Sequence, residues 1–246
     1  MPFTFSHPAL IIPLLYRQQH LPWLSSTGLI AGSIAPDFEK FLNLNLANSH
    51  SHTLASIFYF SCPVALMLSF IFHLVVRKPL IWHLPTGLHR RMVYFESFDW
   101  LPFFRKRYVG VFLSIIIGAT LHLFWDSFTH RNVVSARWLS GLNDMVVFRS
   151  ISLPIFSFLS LSSTFIGGLV IFWCIWKMPT YPSRRLTSAS LIRYWGIVLL
   201  VALTLLIEWM LIVTPKLLSG GITAISATLL GILISSVEAR KRMTRH

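Results

Sequence analysis

Five long apolar runs, separated by polar and basic segments, dominate the pattern of hydrophobic positions along the chain. They cover roughly residues 54–76, 108–127, 151–176, 194–213 and 217–237. Each run has about the 20 residues and the scarcity of charge that are typical of a helix crossing a bilayer. The pattern therefore predicts an all-α fold, a polytopic membrane bundle of about five transmembrane helices. Pro63 should kink the first span, whereas Pro154 is tolerated near the start of the third.

The first 53 residues are apolar but interrupted by prolines. Pro8 suits the first turn of a short helix, which Pro13 would kink. A second helix is predicted from about Ser25 to Ala35, ending before Pro36. At about 11 residues it is too short to cross a bilayer. We expect these N-terminal helices to be interfacial or packed among the spans.

The composition agrees with a membrane protein. Hydrophobic residues make up 54% of the 246 positions and charged residues 12%, whereas soluble domains carry about 25% charged residues. On one face of a soluble protein, a net charge of +13 would indicate nucleic-acid binding. In a membrane protein, the basic residues are expected in the cytoplasmic loops. We predict no nucleic-acid partner and membrane lipids as the surroundings. A single membrane domain is predicted over 1–246, with N-terminal helices and a loop (1–53), a transmembrane bundle (54–237) and a basic tail (238–246).

The basic residues also predict an orientation. Fifteen of the 21 lysines and arginines lie in the 77–107 loop, the 177–193 segment and the tail, which alternate with the loops that carry the other six. By the positive-inside rule these three segments are cytoplasmic. The prediction is a multi-pass protein with a cytoplasmic C-terminus, and with residues 1–53 and 127–150 on the outer side.

The strongest chemical signal is a pair at the end of the second span. His122 and Asp126 are four residues apart, so on a helix they share one face. A carboxylate in this place is costly unless it is paired, hydrated or bound to a cation, and imidazole with carboxylate is a common pair of metal ligands. A local hydrogen-bonded pair that stabilises the helix end is the alternative. His130 falls near the same face if the helix continues, as a further ligand or as an outer hydrogen-bond donor.

The predicted topology brings more ligand types to the same membrane surface. His50 and His52 directly precede the first span, and the N-terminal segment contributes His7 and Asp37. Taken singly, each of these residues could be a helix cap, a turn residue or a solvated loop residue. Together with the pair on the second span they predict a divalent metal site. Zn²⁺ suits a mixed histidine and carboxylate set best, and Mn²⁺ or Mg²⁺ would be favoured if oxygen ligands dominate.

Four segments carry a resemblance to a known family over most of the chain: MPFTFSHP at 1–8, GSIAPDF at 32–38, SHSHT at 49–53 and HLFWDSFTH at 122–130. They resemble a bacterial membrane family catalogued as a domain of unknown function, which implies the bacterial inner membrane. More distantly, the order of these elements is similar to that of the inner-membrane metal-dependent hydrolases. There is also a fainter similarity to helical folds of the zinc-dependent phospholipase C type.

The similarity to the hydrolases implies metal ligands at the matching positions, namely His7, Asp37, His52, His122 and Asp126. The chain departs from the hydrolase pattern in two places. Glu39 stands where the hydrolases have a second aspartate. Their His-Arg-Gly element is missing, and His50 is the nearby substitute.

Two functions follow as hypotheses. The first is a metal-dependent hydrolase that acts on a lipid or lipid-linked phosphoester at the outer membrane surface. Whichever of Asp37, Glu39 and Asp126 does not bind the metal, with Glu39 and Asp126 preferred, would act as general base. The second is a non-enzymatic membrane protein in which the cluster is a structural metal site or part of a cation path.

The convergence of the ligands on one side can be tested by cysteine labelling. Cysteines introduced at Asn45 and Ser135, after replacement of Cys62 and Cys174, should both react with a membrane-impermeant maleimide added from the outside. A cysteine at Arg90 should react only after the membrane is permeabilised. Labelling of positions 45 and 135 from opposite sides would contradict the predicted site.

Overall fold

The computed structural model describes residues 3–44, 50–130, 140–148, 151–182, 187–212 and 217–243. Regular structure in these ranges is helical apart from one two-stranded antiparallel sheet. Five helices are long and apolar enough to cross a membrane: Ile57–His83, Trp100–Thr129, Ile155–Lys177, Ser188–Ile212 and Ser219–Met243. The predicted all-α, multi-pass architecture with five spans is confirmed. Asn45 and Ser135 lie outside the described residues.

The α-helices are α1 (Ile12–Tyr16), α2 (Ser26–Ile34), α3 (Phe38–Asn43), α4 (Cys62–Ile71), α5 (Arg77–His83), α6 (Thr86–Met92), α7 (Trp100–Thr129), α8 (Ile155–Lys177), α9 (Ser188–Ile212) and α10 (Leu217–Met243). Short 3₁₀-helices cover Thr4–Ile11, Ala35–Asp37, Val93–Ser97 and Ser140–Asn143, and π-helical turns cover Ile57–Ser61 and Phe72–Val76. The strands are β1 (Met145–Phe148) and β2 (Ile151–Pro154), with Met145 opposite Pro154.

Prolines account for the irregular parts of the first span. A proline cannot donate a backbone hydrogen bond within a helix, and a π turn relieves the mismatch. Such a turn directly precedes α4, which contains Pro63, and there the Cys62 N–H donates to the Ile57 carbonyl. A second π turn precedes α5, which contains Pro79. The distortion predicted at Pro63 therefore takes the form of a π turn.

The third span begins later than the hydropathy pattern predicts. Its helix starts at Ile155, and residues 151–154 form β2 instead. Pro154, expected near the start of this span, lies directly before the first residue of its helix. A proline disfavours helical geometry in the residue before it, so the preceding residues stay extended and pair with β1.

Contacts between residues divide the chain into two units that are interleaved in sequence. The first comprises Met1–Asp37, His50–Leu66 and Arg107–Trp176, and the second comprises Phe38–Ser49, Met67–Lys106 and Lys177–His246. The division falls within α7 at Arg107, whose backbone departs from helical values (φ −131°, ψ 25°). The single domain predicted from the sequence stays a prediction.

In the first unit, the N-terminal segment lies along α8. The Phe3 N–H donates to Thr164 Oγ1 (3.0 Å), and Tyr16 Oη lies 3.8 Å from Cys174 Sγ. The segment therefore follows ten residues of the span, about 15 Å of helix. Near its far end, Arg107 of α7 donates a hydrogen bond to the Pro22 carbonyl.

After the N-terminal segment, α2 packs along α7. The Ser25 N–H donates to Ser114 Oγ (2.8 Å). Glycines then let the two backbones approach, since a Cβ at Gly28 would lie 2.7 Å from the Val111 carbonyl and one at Gly118 would lie 2.8 Å from the Ser33 nitrogen. Of the two placements left open by the sequence, the structure shows packing among the spans.

In the second unit, α9 and α10 pack against each other. Tyr194, Val198 and Ala239 form a buried cluster, and a Cβ at Gly231 would lie 2.8 Å from the Val198 carbonyl. The Ser235 hydroxyl donates to the Tyr194 carbonyl (2.8 Å). These contacts bury a small-residue seam, which is typical of helix pairs in membranes.

The close approach of α2 and α7 can be tested with two alanine substitutions. Gly118→Ala should lower the free energy of unfolding by about 1–3 kcal/mol, because the added methyl group meets the α2 backbone. Gly168→Ala in α8 is the matched control, since nothing lies within 4 Å of its Cβ position. Thermal unfolding in detergent should show a lower midpoint for Gly118→Ala alone. Equal midpoints for the two variants would refute the described packing.

Candidate metal centre

Six of the predicted site residues come together within the first unit. They are His7 in the 3₁₀-helix Thr4–Ile11, Asp37 at the end of Ala35–Asp37, His52 before the first span, His122 and Asp126 in the last two turns of α7, and His130 directly after it. Each of the four histidines has a ring nitrogen within 3.6 Å of an Asp126 carboxylate oxygen.

Asp37 reaches the cluster through a tightened end of α2. Ser25 caps the start of this helix by accepting a hydrogen bond from the Gly28 N–H (3.2 Å). The α-helix ends at Ile34, before Pro36 as predicted, and the chain continues as the 3₁₀ turn Ala35–Asp37 and then α3. A 3₁₀ turn accommodates the lost donor of the proline. The Asp37 side chain is consequently almost fully buried (1% exposed).

A threonine from the N-terminal segment orients the Asp37 carboxylate. The Thr4 hydroxyl donates to Asp37 Oδ2 (2.6 Å). The other oxygen, Oδ1, lies 3.4 Å from His52 Nε2 and 3.7 Å from His122 Nε2. One oxygen is therefore held by the protein while the other faces two imidazoles.

His122 is oriented by the backbone of α2. Its Nδ1 lies 2.7 Å from the Ser33 carbonyl. Because the carbonyl can only accept a hydrogen bond, Nδ1 carries the proton and Nε2 has the lone pair. Nε2 lies 3.3 Å from Asp126 Oδ2. It is fully buried and makes no hydrogen bond within the described part of the chain. A buried ring nitrogen in this state is suited to a metal ion.

His52 comes from the short turn that precedes the first span. The Ser56 hydroxyl donates to the Ser51 carbonyl (2.6 Å), and Ser51 Oγ lies 2.9 Å from His52 Nδ1. His52 Nε2 lies 3.1 Å from Asp126 Oδ2. Burial alone would lower the pKa of the His52 imidazole, but hydrogen bonds and charge from Asp126 and Asp37 outweigh burial and raise that pKa above its ordinary value.

Four atoms of these side chains lie close enough together to bind one metal ion. They are Asp37 Oδ1, His52 Nε2, His122 Nε2 and Asp126 Oδ2, and a ligand atom from each residue lies within 4.8 Å of all the others. Ligands about 2.0–2.1 Å from a tetrahedral Zn²⁺ are about 3.3 Å apart. The four nitrogen–oxygen distances are 3.1, 3.3, 3.4 and 3.7 Å. The cluster can therefore hold a metal ion, and its donors do not by themselves select which one.

The remaining two histidines face the other oxygen of Asp126. His7 Nε2 lies 3.6 Å and His130 Nδ1 lies 3.3 Å from Oδ1. The His7 ring also stacks on that of His122, with ring centroids 3.8 Å apart. Both histidines border the four-residue group without belonging to it. Their assignment as ligands stays a prediction.

His50 and Glu39 are not brought into this group. His50 is exposed, and its backbone carbonyl accepts a hydrogen bond from the Tyr59 hydroxyl (2.6 Å). Glu39 is buried in α3 and belongs to the second unit. The proposed ligand role of His50 and the proposed base role of Glu39 remain untested predictions.

Sequence reasoning missed the groups that position the ligands. Thr4, the Ser33 carbonyl and Ser51 each contact a ligand directly. Thr4 lies three residues before His7, one turn of a 3₁₀-helix, which was the available clue. A backbone carbonyl such as that of Ser33 leaves no sequence signal at all.

The role of Thr4 is open to a direct test. Thr4→Val should weaken zinc binding by about 10–100-fold, because Asp37 loses the hydrogen bond that orients it. Thr4→Ser keeps the hydroxyl and should bind like the wild type. Thr228→Val is the control, since that hydroxyl bonds only within its own helix (Ala224 carbonyl, 2.7 Å). Affinity is measured by competition with a chromophoric chelator, and unchanged affinity in Thr4→Val would contradict this role.

Comparison with known proteins places the chain in a family. No curated protein and no solved structure matches it. A family model described as a domain of unknown function, DUF4184, matches residues 1–237. The resemblance to a family of unknown function is thereby confirmed, while the similarity to metal-dependent hydrolases stays an expectation. The chain belongs to the DUF4184 family.

Proposed function

We propose that this protein is a membrane-embedded, metal-dependent hydrolase that acts on a lipid or lipid-linked phosphoester. The observation that carries the proposal is the close group of possible ligands formed by Asp37, His52, His122 and Asp126 where α7 ends. We expect Zn²⁺ at this mixed nitrogen and oxygen set, with Mn²⁺ or Mg²⁺ as alternatives. A bound ion would lower the pKa of a coordinated water and polarise a phosphoryl oxygen.

The exposure of the ligands supports a centre that a substrate can reach from one side. The side chains of Asp37, His122 and Asp126 are at most 7% exposed, whereas that of His52 is 20% exposed. The buried ligands exclude water from the rear of the centre and hold its geometry. The His52 side is therefore where we expect a substrate to enter.

The position of the cluster along the helices supports a substrate at the membrane surface. Asp126 lies three residues before the end of a 30-residue apolar helix, and His52 lies five residues before the first span. Leu54 and Phe58, close to His52 in the chain, are 74% and 65% exposed, as expected of side chains that face lipid. We expect the ends of these two spans to lie at the depth of the phosphoester headgroups of lipids.

We place this surface on the outer side of the bacterial inner membrane, with the C-terminus in the cytoplasm. The argument is the excess of lysine and arginine in the alternate loops. The labelling experiment described above tests it.

Asp126 is the carboxylate best suited to accept a proton during hydrolysis. Its Oδ2 faces His52 and His122, whereas its Oδ1 faces His7 and His130, so we expect Oδ1, the oxygen that does not bind the metal, to act as the base. Imidazole nitrogens of His7 and His130 lie beside it and could pass the proton on. All three groups belong to the first unit.

A structural metal site or part of a cation path is the second candidate. The specific observation in its favour is that four protein side chains could bind one ion, which is the number of protein ligands in structural zinc sites. In that case the metal would stabilise the fold and no hydrolysis would follow.

Metal analysis of the full-length protein in nanodiscs tests the first candidate. Wild-type protein should retain zinc after dialysis and release phosphate from a prenyl diphosphate or a headgroup from phosphatidylglycerol. His122→Gln and Asp126→Asn should lose both properties by more than about 100-fold, because a direct ligand matters more than an outer one. Readouts are elemental analysis and product release.

The controls are His20→Gln and Asp144→Asn, which change exposed residues of the same types. Both should behave as wild type. Absence of bound metal from the wild type would refute the metal centre. Metal retained without hydrolysis of either lipid, and with a lowered melting temperature after its removal, would favour the structural candidate.

A further inference from the structure

A serine hydroxyl and a histidine ring meet in the second unit, where the first span ends and α9 begins. His83 is the last residue of α5, and Ser190 is the third residue of α9. Ser190 Oγ lies 3.0 Å from His83 Nε2, although the two residues are 107 positions apart. The contact is therefore made by tertiary packing and is not a local helix cap.

The other ring nitrogen of His83 decides which group donates in this hydrogen bond. His83 Nδ1 lies 2.7 Å from the Pro79 carbonyl. Because a carbonyl can only accept a hydrogen bond, Nδ1 carries the proton and Nε2 has the lone pair. The Ser190 hydroxyl is consequently the donor to Nε2. A hydroxyl that donates to an imidazole, which is in turn oriented by an acceptor, is the arrangement of an activated nucleophile and its base.

Neighbouring residues hold the imidazole in this orientation. The His83 ring stacks on the Tyr194 ring, with centroids 4.3 Å apart and planes inclined by 11°. Trp195 Nε1 donates to the His83 carbonyl (2.7 Å). The Tyr194 hydroxyl lies 2.9 Å from Ser236 Oγ. His83 and Tyr194 are both buried, so the base is fixed in place by packing, as a preorganised catalytic group requires.

The serine is more accessible than its base. Ser190 is half-buried, and residues 187–189 directly before it are exposed. The Ser190 and Leu191 N–H groups donate to the Thr187 carbonyl (3.0 and 3.2 Å), whereas the first N–H groups of a helix have no carbonyl partner within it. The N-terminus of this 25-residue helix also carries partial positive charge. Negative charge that develops on a substrate oxygen beside Ser190 is thereby stabilised.

From these contacts we propose a serine esterase site, in which Ser190 is the nucleophile and His83 is the general base. Ser190 Oγ forms a bond to the carbonyl carbon of a carboxylic ester, and its proton passes to His83 Nε2. The imidazolium gives this proton to the alcohol oxygen as the ester C–O bond breaks. Water then attacks the acyl-serine and loses a proton to Nε2, which returns that proton to Oγ as the carboxylic acid leaves.

The surroundings of the pair favour an ester of a membrane lipid as the substrate. His83 ends the first span and Ser190 lies in the first turn of another, so both are at the boundary between apolar and polar segments. Ile192, two residues after Ser190, is 72% exposed, as expected of a side chain that faces lipid. The site does not use the metal centre proposed above, whose residues belong to the first unit.

A biotinylated alkyl fluorophosphonate tests this inference on the full chain in nanodiscs. In this reaction Ser190 Oγ bonds to phosphorus, fluoride leaves, and the hydroxyl proton passes to His83. Mass spectrometry of the digested protein should locate the adduct on Ser190 in wild type and find none in Ser190→Ala. His83→Gln should react at least about 100-fold more slowly, because the base is lost. His20→Gln and Ser97→Ala, which change exposed residues, should react like wild type.

The outcomes separate this site from a structural contact and from the metal centre. Wild type without an adduct on Ser190 would overturn the inference, and that result does not depend on the folding of any variant. Equal rates for wild type and His83→Gln would also overturn it, since the serine would not be activated by the imidazole. Treatment with EDTA should leave the reaction unchanged, and loss of the adduct would contradict a metal-free site. Absence of bound metal from wild type would refute the proposed function and leave this inference intact.

Discussion

The neutralisation of one buried carboxylate is the constraint on which the first unit depends. Asp126 is 6% exposed, three residues before the end of a long apolar helix. Its ion-pair partners among the described residues are four histidines. A divalent cation bound by these side chains would balance the charges of Asp126 and Asp37. The convergence of chain segments far apart in sequence is thus a consequence of electrostatics at low dielectric.

The N-terminal segment contributes several of the polar side chains that surround Asp126. Irregular backbone is tolerated at membrane depth only where protein buries it, and the spans α7 and α8 provide that cover. Small residues allow the approach, as at Gly28 and Gly118. The same segment places His7, Asp37 and the Thr4 hydroxyl at the end of α7. A stretch too short to span the bilayer therefore forms half of the candidate metal centre.

The sequence predicted different parts of this arrangement for different reasons. His122 and Asp126 were found from their spacing, because helical periodicity alone puts both on one face. Asp37 and His52 were found because span counting placed them on the same side, which needs no knowledge of packing. His50 and His52 both lie directly before the first span, so the sequence gives no reason to prefer one as a ligand. In the structure His50 is exposed, because the direction of a side chain in a turn depends on local hydrogen bonds. Those bonds, from Ser56 and Ser51, have no periodic signature.

By itself the sequence determined the class of protein, the five spans and the face of α7 that carries the ligands, because these follow from hydropathy and helix periodicity. Only the tertiary structure decided that the N-terminal segment packs between spans, that β2 replaces the first turn of the third span, and that the two Asp126 oxygens face different histidines. The packing of the N-terminal segment and the contacts of Asp126 with His7 and His52 depend on distances of a few ångströms between residues more than 70 positions apart, and no local pattern encodes such distances.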